Sequence, residues 1–152
     1  MVDINTEGLH GEAFEMDVER GKVREFSRAV HAGDSAYFAG VNPVAPPTFL
    51  TTAFHWELDV EGAAIWERVA MSQERGMHAE QEYTFHGPPP RAGDKLTAKS
   101  RIDKIFTKQG RRGGELTFVV MITEYRDLDG KLVAEAKMTG VETSKPPTEE
   151  GA

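Results

Sequence analysis

Apolar residues along the chain first follow a helical period and later a period of two. Val23, Phe26, Ala29 and Val30 recur at helical spacing, with Lys22, Arg24, Glu25 and Arg28 pointing elsewhere, which predicts an amphipathic helix. A short strand at Ala13-Phe14-Glu15-Met16 precedes it. Asp17 suits the helix N-cap and Glu19 its first turn; Gly33 suits its C-terminal stop. Phe49, Leu50, Ala53 and Phe54 form the stripe of a second helix, from residue 48 to about 55. Pro47 fits its first turn, where a missing N–H costs nothing. It has no charge before Glu57, so it is predicted to be enclosed. Ile65, Val69 and Ala70, with Trp66, predict a short amphipathic helix within residues 59–76.

From Met77 the period is two. Met77, Ala79, Tyr83 and Phe85 alternate with His78, Glu80, Glu82, Thr84 and His86, as a half-buried strand would. Residues 87–94 form a Pro- and Gly-rich loop. Leu96, Ala98, Ile102 and Phe106 are expected on one face of a long strand. Residues 110–114 read as a basic, Gly-rich turn, and 116–125, apolar on both faces, as a central strand. Asp129-Gly130 is a strong hairpin signal. Leu132, Ala134, Ala136 and Met138 give the buried face of the last strand. Helices followed by long antiparallel strands make an α+β plan, with the helices on one face of the sheet. Residues 1–12 read as a loose arm, 13–143 as a single domain and 144–152 as a polar, disordered tail.

Composition narrows the function. The 152 residues suffice for one domain with a real core. Hydrophobic content is 39% and charged content 28%, a slightly thin core that association with a second chain would complete. The net charge of −7, with a pI of about 5.3, argues against a nucleic-acid surface, whose affinity comes from neutralising phosphates. Without cysteine there is no disulfide framework and no thiolate nucleophile. The first ten residues do not resemble a signal peptide. No stretch approaches the ~20 apolar residues of a membrane span, so a cytoplasmic location is expected.

Candidate chemistry concentrates between residues 33 and 50. Asp34 is a candidate carboxylate, but the favoured reading is a cap or turn residue after Gly33 bonding its own backbone. Tyr37 and Phe38 could line a ligand site or serve as ordinary core or dimer-interface aromatics. His31, at the helix end, could approach Asp34, although a His there is favoured by the helix dipole alone. His78 and His86 are placed on the polar face of their strand; a metal site is the lesser reading, because no metal-binding spacing supports it. Arg111-Arg112 could touch phosphates or simply fill a solvated turn. No phosphate loop, serine nucleophile motif or nucleotide fingerprint occurs, and no cofactor is implied.

The ordered set of motifs carries a resemblance. It runs Gly33-Asp34, Ala45-Pro46-Pro47-Thr48-Phe49, His78-Ala79-Glu80-Gln81-Glu82-Tyr83, and Pro89 to Leu96 with its Ala-Gly-Asp-Lys-Leu. Over roughly residues 13–143 it resembles the MaoC-like hot-dog hydratases and dehydratases. Within them it is similar to the N-terminal MaoC-type branch and to the substrate-binding subunits of (3R)-hydroxyacyl-carrier-protein dehydratases. The resemblance implies a long antiparallel sheet wrapped around a central helix. It also implies an acyl-CoA or acyl-carrier-protein thioester as ligand, and a homodimer or a heterodimer with a catalytic hot-dog subunit.

In active members the motif reads Gly-Asp-x-Asn-Pro-x-His. The resemblance implies that its Asp and His move the proton and the water of a 3-hydroxyacyl thioester, chemistry that needs a donor or acceptor within reach of adjacent carbons. Here Gly33 and Asp34 match. Ala36 and Tyr37 replace Asn and Pro, and Ala39 stands where the His would be. Active members also open the buried helix with His-Gly, whose N–H polarises the thioester carbonyl. Pro46-Pro47 stand there instead, leaving Thr48 and Phe49 as the first possible donors. The chain is therefore expected to bind substrate through Asp34, Tyr37, Phe38, Pro47, Thr48 and Phe49, with no confident catalytic residue and Asp34 as a vestige. The alternatives are a homodimeric hydratase or dehydratase with a nonstandard base, an acyl-CoA thioesterase whose first carboxylate after Pro47 is the distant Glu57, and a non-enzymatic acyl-binding module.

Overall fold

The computed structural model describes residues 1–111 and 114–144. Five strands run antiparallel in one sheet: β1 (Phe14–Asp17), β2 (Gly76–Phe85), β3 (Lys95–Gln109), β4 (Glu115–Arg126) and β5 (Leu132–Thr143). Their order is β1-β3-β4-β5-β2. β4 is central, as its two apolar faces require. The Asp129-Gly130 hairpin is in place: Asp127 Oδ1 accepts from the N–H groups of Asp129 and Lys131, and Gly130 adopts φ 79°.

One face of the sheet carries Phe14 and Met16 of β1, Leu96 and Ala98 of β3, Tyr125 of β4 and Ala134 and Ala136 of β5, all buried in one core. The central helix lies against this face. It winds as a 3-10 helix over Phe49–Ala53 and continues into α2 (Phe54–Glu57). The tight winding has a local cause. Thr52 Oγ1 donates to the Phe49 carbonyl at 2.9 Å and the Thr51 N–H to the Thr48 carbonyl at 3.1 Å, so i−3 partners replace the i−4 partners of an α-helix. Phe49, Leu50 and Ala53 are buried as predicted, whereas Phe54 is 50% exposed. Phe49 meets Phe26 edge-on, with ring centroids 5.7 Å apart. A helix held against one face of a long antiparallel sheet is the α+β hot-dog arrangement expected from the sequence.

The first helix, α1 (Arg20–Ala29), starts and stops at other residues than predicted. Glu19 is its N-cap, and Asp17 ends β1, with Lys95 Nζ 2.7 Å from its Oδ1. The C-terminal stop is His31, not Gly33. His31 takes φ 53°, its N–H donates to the Arg28 carbonyl, and the Ala32 N–H to the Ser27 carbonyl. This paired closure needs one left-handed residue. Val23 and Ser27 are buried and Phe26 half-buried, but Ala29 and Val30 face outward. The predicted third helix is only a 3-10 turn, Trp66–Val69, and Ala70 leaves it left-handed at φ 55°.

Two β-bulges reverse the predicted faces. In β2, His78 pairs with Gly140 and Glu80 with Thr139, leaving Ala79 as an extra residue. His78 therefore shares the inner face with Gln81, Tyr83 and Phe85, while Met77 turns outward and is 54% exposed. In β3 the extra residue is Asp103. Ile105 takes the inner face beside Val119, and Phe106 moves to the outer face, where it stacks on Phe118 at 5.0 Å. A bulge adds one residue to one strand only, so every later side chain changes face.

Residues 1–12 are laid along β3, not loose. β1 pairs only with residues 95–98, which leaves the next stretch of the β3 edge open. Gly8 and Gly11 donate N–H groups to the carbonyls of Ile102 and Ser100, and Ile102 donates to Leu9, all at 2.9 Å. Val2 is buried with Ile65, Val69, Ile102 and Val119 in a second, smaller core. Covering the edge satisfies buried backbone groups. A Cβ on Gly11 would come within 2.5 Å of the Ala63 carbonyl oxygen, so the close approach depends on glycine. The predicted tail beyond residue 144, and Arg112, lie outside the described residues.

Candidate functional site

A cavity of about 310 Å³ opens between the central helix and the inner face of the sheet. Leu50, Thr51, Ala53, Phe54 and Glu57 of the central helix form one wall. The sheet contributes Ser100 from β3, Met121, Thr123 and Tyr125 from β4, Ala136 and Met138 from β5, and His78, Gln81 and Tyr83 from β2. Trp66 closes one end. Its ring passes over Gly140, where a Cβ would lie 2.8 Å from two of its carbons, so only glycine lets the indole lie that close. The interior side of the cavity is buried (Leu50, Ala53, Ser100, Thr123, Tyr125). Thr51, Phe54, His78 and Gln81 are exposed, so the opening lies towards β2.

Polar groups converge on the interior side. Ser100 Oγ lies 3.3 Å from Glu57 Oε1 and 2.9 Å from Thr123 Oγ1. Ser100 has one hydroxyl proton; donated to Glu57, it obliges Thr123 to donate to Ser100. Burial pushes the Glu57 carboxyl above its ordinary range, and the Ser100 hydrogen bond only partly offsets this. Tyr125 donates its hydroxyl to the Leu50 carbonyl at 3.2 Å, which ties β4 to the central helix. Burial raises its phenol strongly, and the Tyr83 and Glu57 charges add to that. Tyr83 is raised by burial as well, against a side-chain hydrogen bond with Thr51. No buried side-chain polar atom lacks a partner among the described residues. Glu57 Oε2 has no protein partner among the described residues.

The residues singled out between 34 and 49 lie elsewhere. Asp34 is exposed, and its Oδ1 accepts the Ala36 N–H at 2.8 Å, capping a 3-10 turn over Ser35–Tyr37. That is the turn-residue role. Tyr37 and Phe38 are half-buried, Pro47 and Thr48 exposed, and none of the four lines the cavity. Phe49 is wholly buried, and its N–H donates to the Pro46 carbonyl at 2.9 Å, so it cannot serve a thioester oxygen. Ala39 is exposed. No hydrogen bond or ion pair joins His31 to Asp34 among the described residues. His86 faces away from the cavity and meets Glu135 at 2.7 Å. No group of three or more His, Cys, Asp or Glu side chains among the described residues is arranged to hold a metal ion.

Sequence reasoning missed the inward turn of His78, which follows from the Ala79 bulge. It also judged Glu57 too far along the helix, because α2 carries it one turn beyond the apolar stripe. Its polar partners, Ser100 and Thr123, are small hydroxyls at inner-face positions of two strands. A small polar residue in an otherwise apolar strand face was the available signal.

Comparison with known proteins follows the same outline. The family model described as "FAS1-like, dehydratase domain region" matches residues 5–136. The chain belongs to this dehydratase-domain family. A UPF0336 protein of Parafrankia sp. (strain EAN1pec) is 30% identical over 138 residues, covering 86% of each chain. A second, from Streptomyces coelicolor, is 31% identical over 103 residues, covering 62% of this chain and 66% of the other. Among solved structures, the C-terminally truncated HadBC (3R-hydroxyacyl-ACP dehydratase) complex from Mycobacterium tuberculosis has a chain 29% identical to this one. It superimposes with a TM-score of 0.69 over 91% of this chain and 97% of that one. A MaoC-like dehydratase of 22% identity also gives 0.69, over 90% of this chain and 42% of its own, and supports the hot-dog fold alone. The MaoC-like hot-dog resemblance read from the sequence is thereby shown. Among the described residues no helix is long and apolar enough to cross a membrane.

Proposed function

We infer that this chain is an acyl-thioester-binding subunit of a (3R)-hydroxyacyl dehydratase or 2-enoyl hydratase, and that it does not itself transfer the proton. One observation carries the reading. At the place where the resemblance puts the reaction, Ala39 stands for the base, the Asp34 carboxylate caps a backbone N–H, and the Phe49 N–H is held by Pro46. Proton transfer by the family's pair needs both the carboxylate and the imidazole within hydrogen-bond reach, and Ala39 cannot supply the second. The acyl chain takes the cavity between the central helix and the sheet, whose aromatic and aliphatic walls suit it. A second hot-dog chain carrying the Asp-x4-His pair supplies the chemistry. β2, the outer strand, has one edge without a neighbouring strand in the sheet, and a similar chain could lie along it. Titration of the isolated chain with octanoyl-CoA then gives saturable binding, with no hydration of a 2-enoyl-CoA. Absence of binding would remove the reading.

A second reading has Glu57 in its favour. The structure brings this carboxylate into the cavity with a raised pKa, where it could activate water against a thioester. Release of free thiol from an acyl-CoA, abolished by Glu57→Gln, would select hydrolysis over subunit binding.

A further inference from the structure

A plain alkyl chain matches the walls of the cavity described above but not its interior end. Its lining includes Leu50, Ala53, Met121, Ala136, Met138 and Trp66, but the interior side ends on Glu57, Ser100 and Thr123. Ser100 is 1% and Thr123 7% exposed, so both hydroxyls lie inside the fold and hold Glu57 in place. One carboxylate oxygen is taken by Ser100; the other meets no protein donor among the described residues. Covering it with methylene groups leaves a half-buried carboxyl oxygen without a partner, which is costly. A ligand group that donates a hydrogen bond avoids that loss.

We propose that Glu57, seated by Ser100 and Thr123, is a specificity site for an acyl chain bearing a hydroxyl on the segment held by this subunit, beyond the carbons that react. This rests on the acyl-binding reading above. A hydroxyl fits better than a cation. Glu57 bonds Ser100 and shares the cavity lining with the neutral groups Thr123, Tyr83 and Tyr125, and its burial favours the uncharged form, which a neutral donor-acceptor can meet in either state. Glu57 acts here by binding and takes no part in bond making.

The test is calorimetric titration of the full chain with octanoyl-CoA and with a hydroxyoctanoyl-CoA series in which the hydroxyl moves outward from carbon 3. The expected result is a preference of about tenfold for at least one compound hydroxylated beyond carbon 3, the size of one hydrogen bond to a charged or partly buried group. Glu57→Leu brings that preference to within about twofold, by weakening the hydroxylated ligand and strengthening the plain one. Glu57→Gln, which keeps the shape, retains part of it and covers the case in which the leucine variant does not fold. Equal binding of all compounds overturns the inference while leaving acyl binding intact. So does a preference confined to the 3-hydroxy compound, or one that neither variant changes. If no compound binds, both this inference and the acyl-binding reading fall.

Discussion

Glu142 is the least exposed charged side chain in the described structure, at 4%, and holds down the segment that closes one end of the cavity. Its Oε1 accepts from Arg75 Nη2 at 3.0 Å and its Oε2 from the Ser72 N–H at 2.6 Å. Arg75 also donates to the Thr143 carbonyl at 3.3 Å. Residues 66–75 are thereby tied to β5, and they carry Trp66 and Met71. Glu142→Gln keeps the shape but removes the charge. Its amide has one acceptor atom where the carboxylate has two, so either Arg75 or the Ser72 N–H faces the donating NH2 group and loses its partner. A hydrogen bond to a charged group contributes ~1.5–3 kcal/mol, which puts the cost of this variant near ~2 kcal/mol. Glu142→Ala, which leaves both donors without an acceptor, costs about 3–5 kcal/mol. For a chain of this size the glutamine variant lowers Tm by about 4–8 °C. The double variant Arg75→Met/Glu142→Leu leaves no charge without its partner but still strands the Ser72 N–H, so it costs about 1–3 kcal/mol and is more stable than Glu142→Ala. Urea unfolding followed by the fluorescence of Trp56 and Trp66 measures all four proteins. A glutamine variant within about 0.5 kcal/mol of wild type refutes the reasoning, as does a double variant no more stable than Glu142→Ala, given the expected span of unfolding energies.

Two further variants probe other parts of the account. His31→Gly removes a Cβ from a left-handed position, φ 53°, that closes α1; stability rises by about 0.5–1 kcal/mol, and no gain in denaturant midpoint would contradict the assignment of His31 as the stop. Glu57→Gln is more stable than wild type at neutral pH. The raised carboxyl binds its proton more tightly in the folded state, so wild-type stability falls as pH rises through the carboxylate range and up to the folded pKa. The advantage of the variant therefore disappears below about pH 4, and thermal unfolding at two pH values reads it.

Much of the sheet was legible because its signals are local. The hydrophobic run of β4, the Asp129-Gly130 turn and the small apolar residues Ala134 and Ala136 each follow from period and turn chemistry. The bulges at Ala79 and Asp103 were not, since neither residue is a glycine and the pairing that exposes them involves a distant strand. They alone moved His78 inward and Phe106 outward. The arm over residues 1–12 was misread for a similar reason: its attachment to β3 is mostly by backbone, which composition does not reveal. At the site, the departures from the family motif were legible at Ala39 and Pro46-Pro47. What could not be read was where a ligand would go instead. Glu57, Ser100 and Thr123 come from a helix and two strands, and only the fold brings them together.

The central claim is that the chain binds an acyl thioester but lacks the proton-transfer pair. The most direct measurement is the hydration rate of a 2-enoyl-CoA by the purified chain alone, and by the chain co-purified with a hot-dog subunit that carries the Asp-x4-His motif. The account predicts no turnover alone and turnover by the pair, lost when the motif of the partner is mutated. Hydration by the isolated chain, abolished by Asp34→Asn, would contradict it.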